Sequence, residues 1–152
     1  MDYTLSEWVN LAGEGSLADA AVKQQAEETG MTVEAVRATM HSHLCCMQEA
    51  VQSGLDEKLR SVSGLSGGQA ALFLKRMQEG KLLGGRLLGK AEVYAMATAE
   101  CNACMGKIVA APTAGACGIL PGTILAMMEE SDVSEEQAVD ALFVAAAVGQ
   151  SI

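Results

Sequence analysis

The segment Val33-Glu-Ala-Val-Arg-Ala-Thr-Met-His-Ser-His-Leu-Cys-Cys-Met-Gln-Glu-Ala-Val51 indicates the fold class of this chain. Its large apolar side chains recur every three or four residues, which places them on one face of an α-helix. Thr32 stands just before the segment and is a residue type that caps helices. We therefore predict a helix from residue 33 to about residue 58. Its apolar face comprises Val33, Val36, Met40, Leu44, Met47 and Val51.

The composition extends this prediction to the whole chain. The 152 residues fit one domain, and 50% of them are hydrophobic, which is enough for a sizeable core. Ala, Leu, Val and Met supply most of the apolar residues, and aromatic residues make up only 3%. Ala and Leu are strong helix formers, whereas sheets favour β-branched and aromatic residues. We predict an all-α fold of about six to eight helices, in a single helical domain over residues 1–152.

Capping residues and glycines divide the rest of the chain into further helices. Thr4 and Ser16 precede apolar segments with helical spacing, and Gly13 and Gly30 follow them. Residues 80–88 are glycine-containing and are expected to be only weakly helical. Pro121 suits the first turn of a helix, so we expect one to start there. The predicted ranges are 4–13, 16–30, 69–79, 89–104, 121–130 and 134 onwards.

The last predicted helix begins with a capping box and has no polar end. Ser134 caps it, and Gln137 stands three residues later, as a capping box requires. The segment Ala145–Gly149 is apolar and is still helical in pattern where the sequence stops. A domain seldom stops inside a buried helix, so we expect the chain to be a truncated piece of a longer protein.

Charge and cysteine usage narrow the possible partners and the compartment. The net charge is −9 and the pI is about 4.6, without a basic stripe, which argues against a nucleic-acid partner. No apolar run has the length of a membrane span, and the first residues do not read as a signal peptide. Five cysteines, two of them adjacent, make a poor disulfide framework. We expect a cytoplasmic protein with reduced thiols.

The stretch Ser61-Val-Ser-Gly-Leu-Ser-Gly-Gly68 is the first candidate for binding chemistry. Its glycines and serines disfavour helix interior, and it leads into the helix predicted at 69–79. Hydroxyls and backbone N–H groups at a helix start favour an anion such as a carboxylate or a phosphate. It lacks the lysine of a phosphate-binding P-loop and does not match the dinucleotide fingerprint. The alternative is a flexible connector between helices.

A second glycine-rich turn, Pro112-Thr-Ala-Gly-Ala-Cys-Gly118, offers similar groups. The hydroxyl of Thr113 and the N–H groups of the turn are expected to face outward. Lys107 lies nearby in the chain and could balance the charge of a carboxylate. The alternatives are a tight turn between helices for the loop and a solvated surface charge for Lys107.

The cysteines and histidines do not assemble into a recognisable metal or catalytic motif. Cys101 and Cys104 have CxxC spacing, but the second half of a zinc motif is absent, so we interpret them as structural thiols. His41 and His43 are two residues apart on a helix and point to different faces. No nucleophile, histidine and acid set is recognisable, and the catalytic residues stay unknown. We predict no metal ligand within the chain.

The run Glu100-Cys-Asn-Ala-Cys-Met-Gly-Lys-Ile-Val-Ala-Ala-Pro-Thr-Ala-Gly-Ala-Cys-Gly-Ile-Leu-Pro-Gly122 resembles the signature region of the iron–sulfur-dependent L-serine dehydratase α chain. The stretch from Ser61 to Gly68 is similar to that family's serine- and glycine-rich loop. The resemblance covers nearly the whole chain from about residue 5 and identifies it as an amino-terminal fragment of the α chain. It implies a lyase that converts L-serine, through an enamine, to pyruvate and ammonia.

The resemblance also implies a cofactor, partners and site residues. A [4Fe–4S] cluster acts as Lewis acid in the complete enzyme, bound in motifs of the type Gly-Cys-Gln, Thr-Cys-Asp-Pro and Pro-Cys-Ile/Val-Glu-Arg. None of these occurs here, so the ligands are expected beyond Ile152, with no cluster and no activity in this fragment. The implied partners are L-serine, a β chain or β domain, and further copies of the chain. The implied substrate-binding residues are Ser61, Ser63, Gly64, Ser66, Gly67, Gly68, Lys107, Thr113, Ala114 and Gly115.

Three alternatives stay open. A related iron–sulfur lyase acting on another small amino acid, such as cysteine, would have similar loops. A helical assembly module without catalysis would be a self-contained, stable domain. A metal-binding module would hold stoichiometric zinc through Cys101 and Cys104.

Overall fold

The structure, a computed structural model, describes residues 3–80 and 84–151. In these residues the chain forms α-helices and no strand, which confirms the predicted all-α class and the predicted number of helices. None of the described helices is both long enough and apolar enough to span a membrane. The helices are α1 Leu5–Ala12, α2 Leu17–Thr29, α3 Val33–Gly54, α4 Gln69–Gln78, α5 Gly85–Ala103, α6 Ala116–Glu130 and α7 Glu135–Gln150.

The predicted caps are confirmed at the helix starts. The Ser16 hydroxyl accepts a hydrogen bond from the N–H of Ala18 at 3.1 Å, and Gly30, in the left-handed conformation, caps the end of α2. Ser134 and Gln137 form both bonds of the predicted capping box of α7. Such caps satisfy donors that a helix leaves unpaired in its first turn.

The end of α3 differs from the prediction, because the helix stops at Gly54 and not near residue 58. After Gly54 the backbone turns, and the Asp56 side chain accepts a hydrogen bond from the N–H of Lys58 at 2.9 Å. A short acidic side chain that bonds to nearby backbone competes with helix continuation. Part of the weak helix predicted at 80–88 falls on residues 81–83, which lie outside the described residues, and α5 begins at Gly85.

The start of α6 also corrects the prediction. The helix begins at Ala116, so Pro121 lies in its second turn rather than its first. The Thr113 hydroxyl accepts a hydrogen bond from the N–H of Ala116 at 3.1 Å and starts the helix early. Pro121 cannot donate to the carbonyl of Cys117, so the helix continues with one backbone bond missing.

Contacts divide the chain into two compact units, residues 1–42 with 134–152 and residues 43–133. The boundary lies within α3, and the single domain expected from the sequence stays a prediction. In the first unit α2 packs against α1 and α7. The Trp8 side chain is only 2% exposed and its ring contacts that of Tyr3 at 5.0 Å between centroids. Arg37 pairs with Asp19 at 3.2 Å and with Asp140 at 2.8 Å.

In the second unit α5 contacts both α4 and α6. A Cβ added at Gly122 of α6 would lie 2.6 Å from the backbone oxygen of Ala91. A Cβ added at Gly54 of α3 would likewise clash with the backbone of Ala97. The two glycines therefore allow α3 and α6 to pack close to α5. The carboxyl end of α5 is thereby held in the unit that contains both glycine-rich loops.

Candidate functional site

The segment Ser61–Gly68, hereafter the serine loop, is a closed turn between α3 and α4. The N–H of Ser61 donates to the carbonyl of Ser66 at 2.8 Å, and the N–H of Gly64 donates to the carbonyl of Ser61 at 2.8 Å. The Ser61 hydroxyl accepts from the N–H of Ser66 at 3.2 Å. These bonds close the loop on itself between its first residue and Ser66.

The hydroxyls of the serine loop lie near its surface. The oxygens of Ser61 and Ser63 are 3.2 Å apart, and either can donate to the other. Ser63 is exposed, whereas Ser61 and Ser66 are half-buried. Since a hydroxyl is a donor and a double acceptor, this group can bind a carboxylate or another hydroxyl.

Glycines are needed at the end of the serine loop for steric reasons. Gly67 has a φ of 128°, and a Cβ there would lie 2.2 Å from the backbone oxygen of Leu59. Gly68 has a φ of 78°, and its Cβ would lie 2.8 Å from the oxygen of Glu57. The Arg60 guanidinium donates to the carbonyl of Gly67 at 3.2 Å. The backbone therefore passes here where no side chain fits.

The N–H groups at the start of α4 already hold an anion, which is the side chain of Glu100. Its carboxylate accepts from the N–H of Gly68 at 2.8 Å, of Gln69 at 2.8 Å and of Ala70 at 3.2 Å. The sequence predicted anion binding at this helix start, and the structure identifies a carboxylate of the protein itself as one such anion. The N–H of the candidate Gly68 is therefore engaged within the protein.

The second loop, residues 104–115, leaves the carboxyl end of α5. The N–H of Gly106 donates to the carbonyl of Cys101 at 2.8 Å, and the Cys101 thiol contacts the carbonyl of Lys107 at 3.8 Å. A Cβ at Gly106 would lie 2.4 Å from the sulfur of Cys101. Lys107 is exposed, and the described residues give its side chain no ion pair. Its charge is therefore available to a ligand.

The candidates Thr113, Ala114 and Gly115 are exposed and lead into α6. The carbonyl of Thr113 accepts from the N–H of Cys117 at 3.3 Å. The hydroxyl of Thr113, which was expected to face a ligand, accepts from a backbone N–H of α6. It keeps its own hydrogen, so it can still donate to a carboxylate.

Two cavities are lined in part by candidate substrate-binding residues of the second loop. One, of about 160 Å³, is lined by Lys107, by Cys101 and by Leu59, which precedes the serine loop. The other, of about 180 Å³, is lined by Ala114 and Gly115 together with Asn102 of α5. The carboxyl end of α5 contributes to both cavities.

Comparison of the sequence with models of known protein families shows which family the chain is related to. The family model described as serine dehydratase alpha chain matches residues 14–152. The chain belongs to the serine dehydratase alpha chain family. The resemblance predicted from the sequence is thereby confirmed.

Three curated relatives of this serine dehydratase alpha chain family member are longer proteins. The probable L-serine dehydratase, alpha chain, of Bacillus subtilis is 41% identical over 133 residues, which are 88% of this chain and 44% of that protein. The L-serine dehydratase, alpha chain, of Peptoniphilus asaccharolyticus is 28% identical over 88% of this chain and 46% of that protein. The L-serine dehydratase of Helicobacter pylori is 33% identical over 74% of this chain and 26% of that protein. No solved structure matches the chain.

In the described part of this family member, the cysteine thiols are not grouped as cluster ligands would be. Cys46 and Cys101 are buried, and burial raises the pKa of the Cys101 thiol, with smaller contributions from Cys104 and Cys46. Within residues 3–80 and 84–151, no group of three or more His, Cys, Asp or Glu side chains is arranged to bind a metal ion. The described residues therefore do not fit an iron–sulfur cluster. His41 lies 3.1 Å from a carboxylate oxygen of Glu135 on the surface.

The sequence reasoning missed Glu100 as a residue of the site. The sequence did contain a signal for this residue. Glu100 is a carboxylate on the apolar side of α5, next to Cys101 and one helical turn from Ala97. Charged residues are seldom fully buried unless they are paired. A charge in this position therefore implies a set of donors elsewhere in the chain.

Proposed function

We propose that this member of the serine dehydratase alpha chain family forms part of an L-serine ammonia-lyase. In the proposed reaction L-serine loses water to give an enamine, and water then hydrolyses the enamine to pyruvate and ammonia. The observation that carries the proposal is the family match over residues 14–152. The chain spans less than half the length of the relatives named L-serine dehydratase, so the activity is proposed for a larger assembly.

The role proposed for this chain is to bind and orient the substrate. The hydroxyls of Ser61, Ser63 and Ser66 offer donors and acceptors to the carboxylate and the hydroxyl of L-serine. Lys107 supplies a positive charge, and Thr113 supplies a further donor. The backbone of Gly64, Ala114 and Gly115 permits close approach because it carries no bulky side chain.

The remaining parts of the proposed enzyme lie outside residues 1–152. We propose that a [4Fe–4S] cluster belongs to the complete enzyme and that its ligands are supplied there. We also propose a β chain or β domain as partner, self-association of the chain, and a cytoplasmic location. The alpha-chain names of two relatives support the proposed β partner.

The experiment that tests this function is a paired anaerobic assay. One sample contains this chain treated with iron and sulfide, and the other contains the chain extended to the length of its relatives, with its β partner. Formation of pyruvate from L-serine is followed in both. We expect turnover and a cluster absorbance in the extended sample alone. Absence of turnover of L-serine in both samples, with turnover of L-cysteine, would instead indicate a lyase for another amino acid.

A further inference from the structure

Glu100 is a buried charged residue that has no role in the proposed reaction. Glu100 is 7% exposed to solvent. In the described part of the chain it is the only charged residue among the buried ones. A buried carboxylate is costly unless donors surround it. The side chain must therefore be compensated by specific contacts.

The contacts of Glu100 lie at the point where the serine loop enters α4. One carboxylate oxygen accepts from the N–H of Gly68, and the other accepts from the N–H groups of Gln69 and Ala70. A helix start favours negative charge, so the contact stabilises both the carboxylate and the helix end. It joins the last residue of the serine loop to α5, 32 residues later in the chain.

The adjacent residue, Cys101, holds the second loop. Its carbonyl accepts from the N–H of Gly106, and its thiol contacts the carbonyl of Lys107. Two consecutive residues of one helical turn therefore anchor the two loops that carry all the substrate-binding candidates. This arrangement couples the position of the serine hydroxyls to that of Lys107 through a single turn of α5.

We propose that Glu100 is a positioning residue, which anchors the serine loop to α5 and occupies the N–H groups where a substrate carboxylate would otherwise bind. The substrate is then bound through the hydroxyls of the serine loop and through the second loop. The part of this inference that concerns the substrate rests on the proposed function. The part that concerns the anchor does not.

The anchor is tested in this chain by amide hydrogen exchange of Glu100→Gln. Glutamine keeps the shape but presents an NH₂ donor where a carboxylate oxygen accepted. We expect exchange at residues 68–70 to rise by about ten-fold or more, whereas the exposed control Glu92→Gln on the same helix leaves it unchanged. Unchanged exchange in Glu100→Gln overturns the proposal. Circular dichroism verifies folding, and if Glu100→Gln unfolds the chain, Glu100→Asp takes its place, because its shorter carboxylate cannot reach all of these donors.

The substrate part is tested in the complete enzyme with purified Glu100→Gln. We expect the KM for L-serine to rise by about ten-fold while kcat changes much less, because the loop that binds the substrate loses its position. Val22→Ala serves as the control, because Val22 is buried in α2 of the first unit, so its truncation lowers the melting temperature without altering a residue of the second unit and leaves the KM unchanged. A raised exchange rate with an unchanged KM overturns the positioning role. Absence of L-serine turnover in the unsubstituted enzyme refutes the proposed function instead, and the exchange result still decides the anchor.

Discussion

A cluster of charged side chains joins α5 to α6 next to the small residues at their contact. Lys90 donates to Glu129 at 2.8 Å and also pairs with Glu130, and Arg86 pairs with Glu130 at 3.1 Å. Burial lowers the pKa of Lys90, but its hydrogen bonds to Glu129 and Glu130 outweigh burial, so the pKa is raised. Burial and a hydrogen bond to Glu129 raise the pKa of Tyr94. Both groups therefore keep their protons at neutral pH.

At the residue scale, Glu130 is expected to make stability depend on pH. Its hydrogen bonds to Lys90 and then to Arg86 hold the pKa of this carboxyl below its ordinary value. A group with a lowered folded-state pKa contributes stability above its unfolded-state pKa, and this contribution is lost as pH falls through the folded-state pKa. We expect Glu130→Gln to melt at a lower temperature at pH 7, with a difference that shrinks steadily below about pH 4.

The comparison requires a variant that removes a negative charge without breaking this cluster. Glu92→Gln is suitable, because Glu92 is exposed on α5 and belongs to none of these ion pairs. Melting temperatures measured by circular dichroism from pH 7 to pH 3 supply the data. A constant difference between Glu130→Gln and the unsubstituted chain at every pH would contradict the assigned ion pairs.

At the element scale, the close approach of α3 and α5 depends on Gly54. A Cβ at this position would lie 1.8 Å from the carbonyl oxygen of Ala97, which belongs to rigid helix backbone. Alanine normally stabilises a helix relative to glycine by about 0.8–1 kcal/mol. Overpacking costs about 1–3 kcal/mol, so the steric term is expected to prevail.

We therefore expect Gly54→Ala to lower the free energy of unfolding by up to about 2 kcal/mol, the net of these two effects. Gln52→Ala is the matched control, since Gln52 is exposed on the same helix. Chemical denaturation monitored by circular dichroism measures both variants. A Gly54→Ala chain that is more stable than the unsubstituted one would show that α3 does not pack closely on α5.

The start of α6 illustrates why element boundaries differ from the prediction. Pro121 suggested a first turn, because proline lacks the N–H that a first turn leaves unpaired. The contact of Gly118 and Gly122 with the backbone of Ala95 and Ala91 instead extends the helix toward its amino end. Packing against α5 offsets the bond that Pro121 cannot form.

At the scale of the whole molecule, several apolar side chains remain open to solvent on the loops of the second unit. Val62 is 83% exposed, Leu65 is 89% exposed and Met105 is 82% exposed. Exposed apolar groups of this kind favour association with another surface. We expect this chain alone to self-associate in sedimentation velocity experiments at micromolar concentration, and the combined change Val62→Ser with Leu65→Ser to reduce the associated fraction. A monomer with cooperative unfolding would contradict the expectation.

The candidate site was predicted in part from its local sequence. The glycines and hydroxyls of the serine loop were recognised, because their conformational freedom and hydrogen-bonding capacity are properties of the residue types. Their roles in substrate binding stay predictions. Two contacts were not predicted from the sequence: that of Gly68 with Glu100 and that of Lys107 with Cys101. The spacing of residues along the chain does not show which side chain will contact a given backbone group.

The sequence by itself determined the helical class, most of the helix starts and the family of this chain. These properties depend on periodicity, on caps and on local motifs, each of which lies within a few residues. Only the tertiary structure decided that Gly54 and Gly122 approach α5, that α6 begins before Pro121, and that Glu100 occupies the start of α4. These outcomes depend on contacts between residues far apart in the chain, where packing and the pairing of a buried charge outweigh local preference.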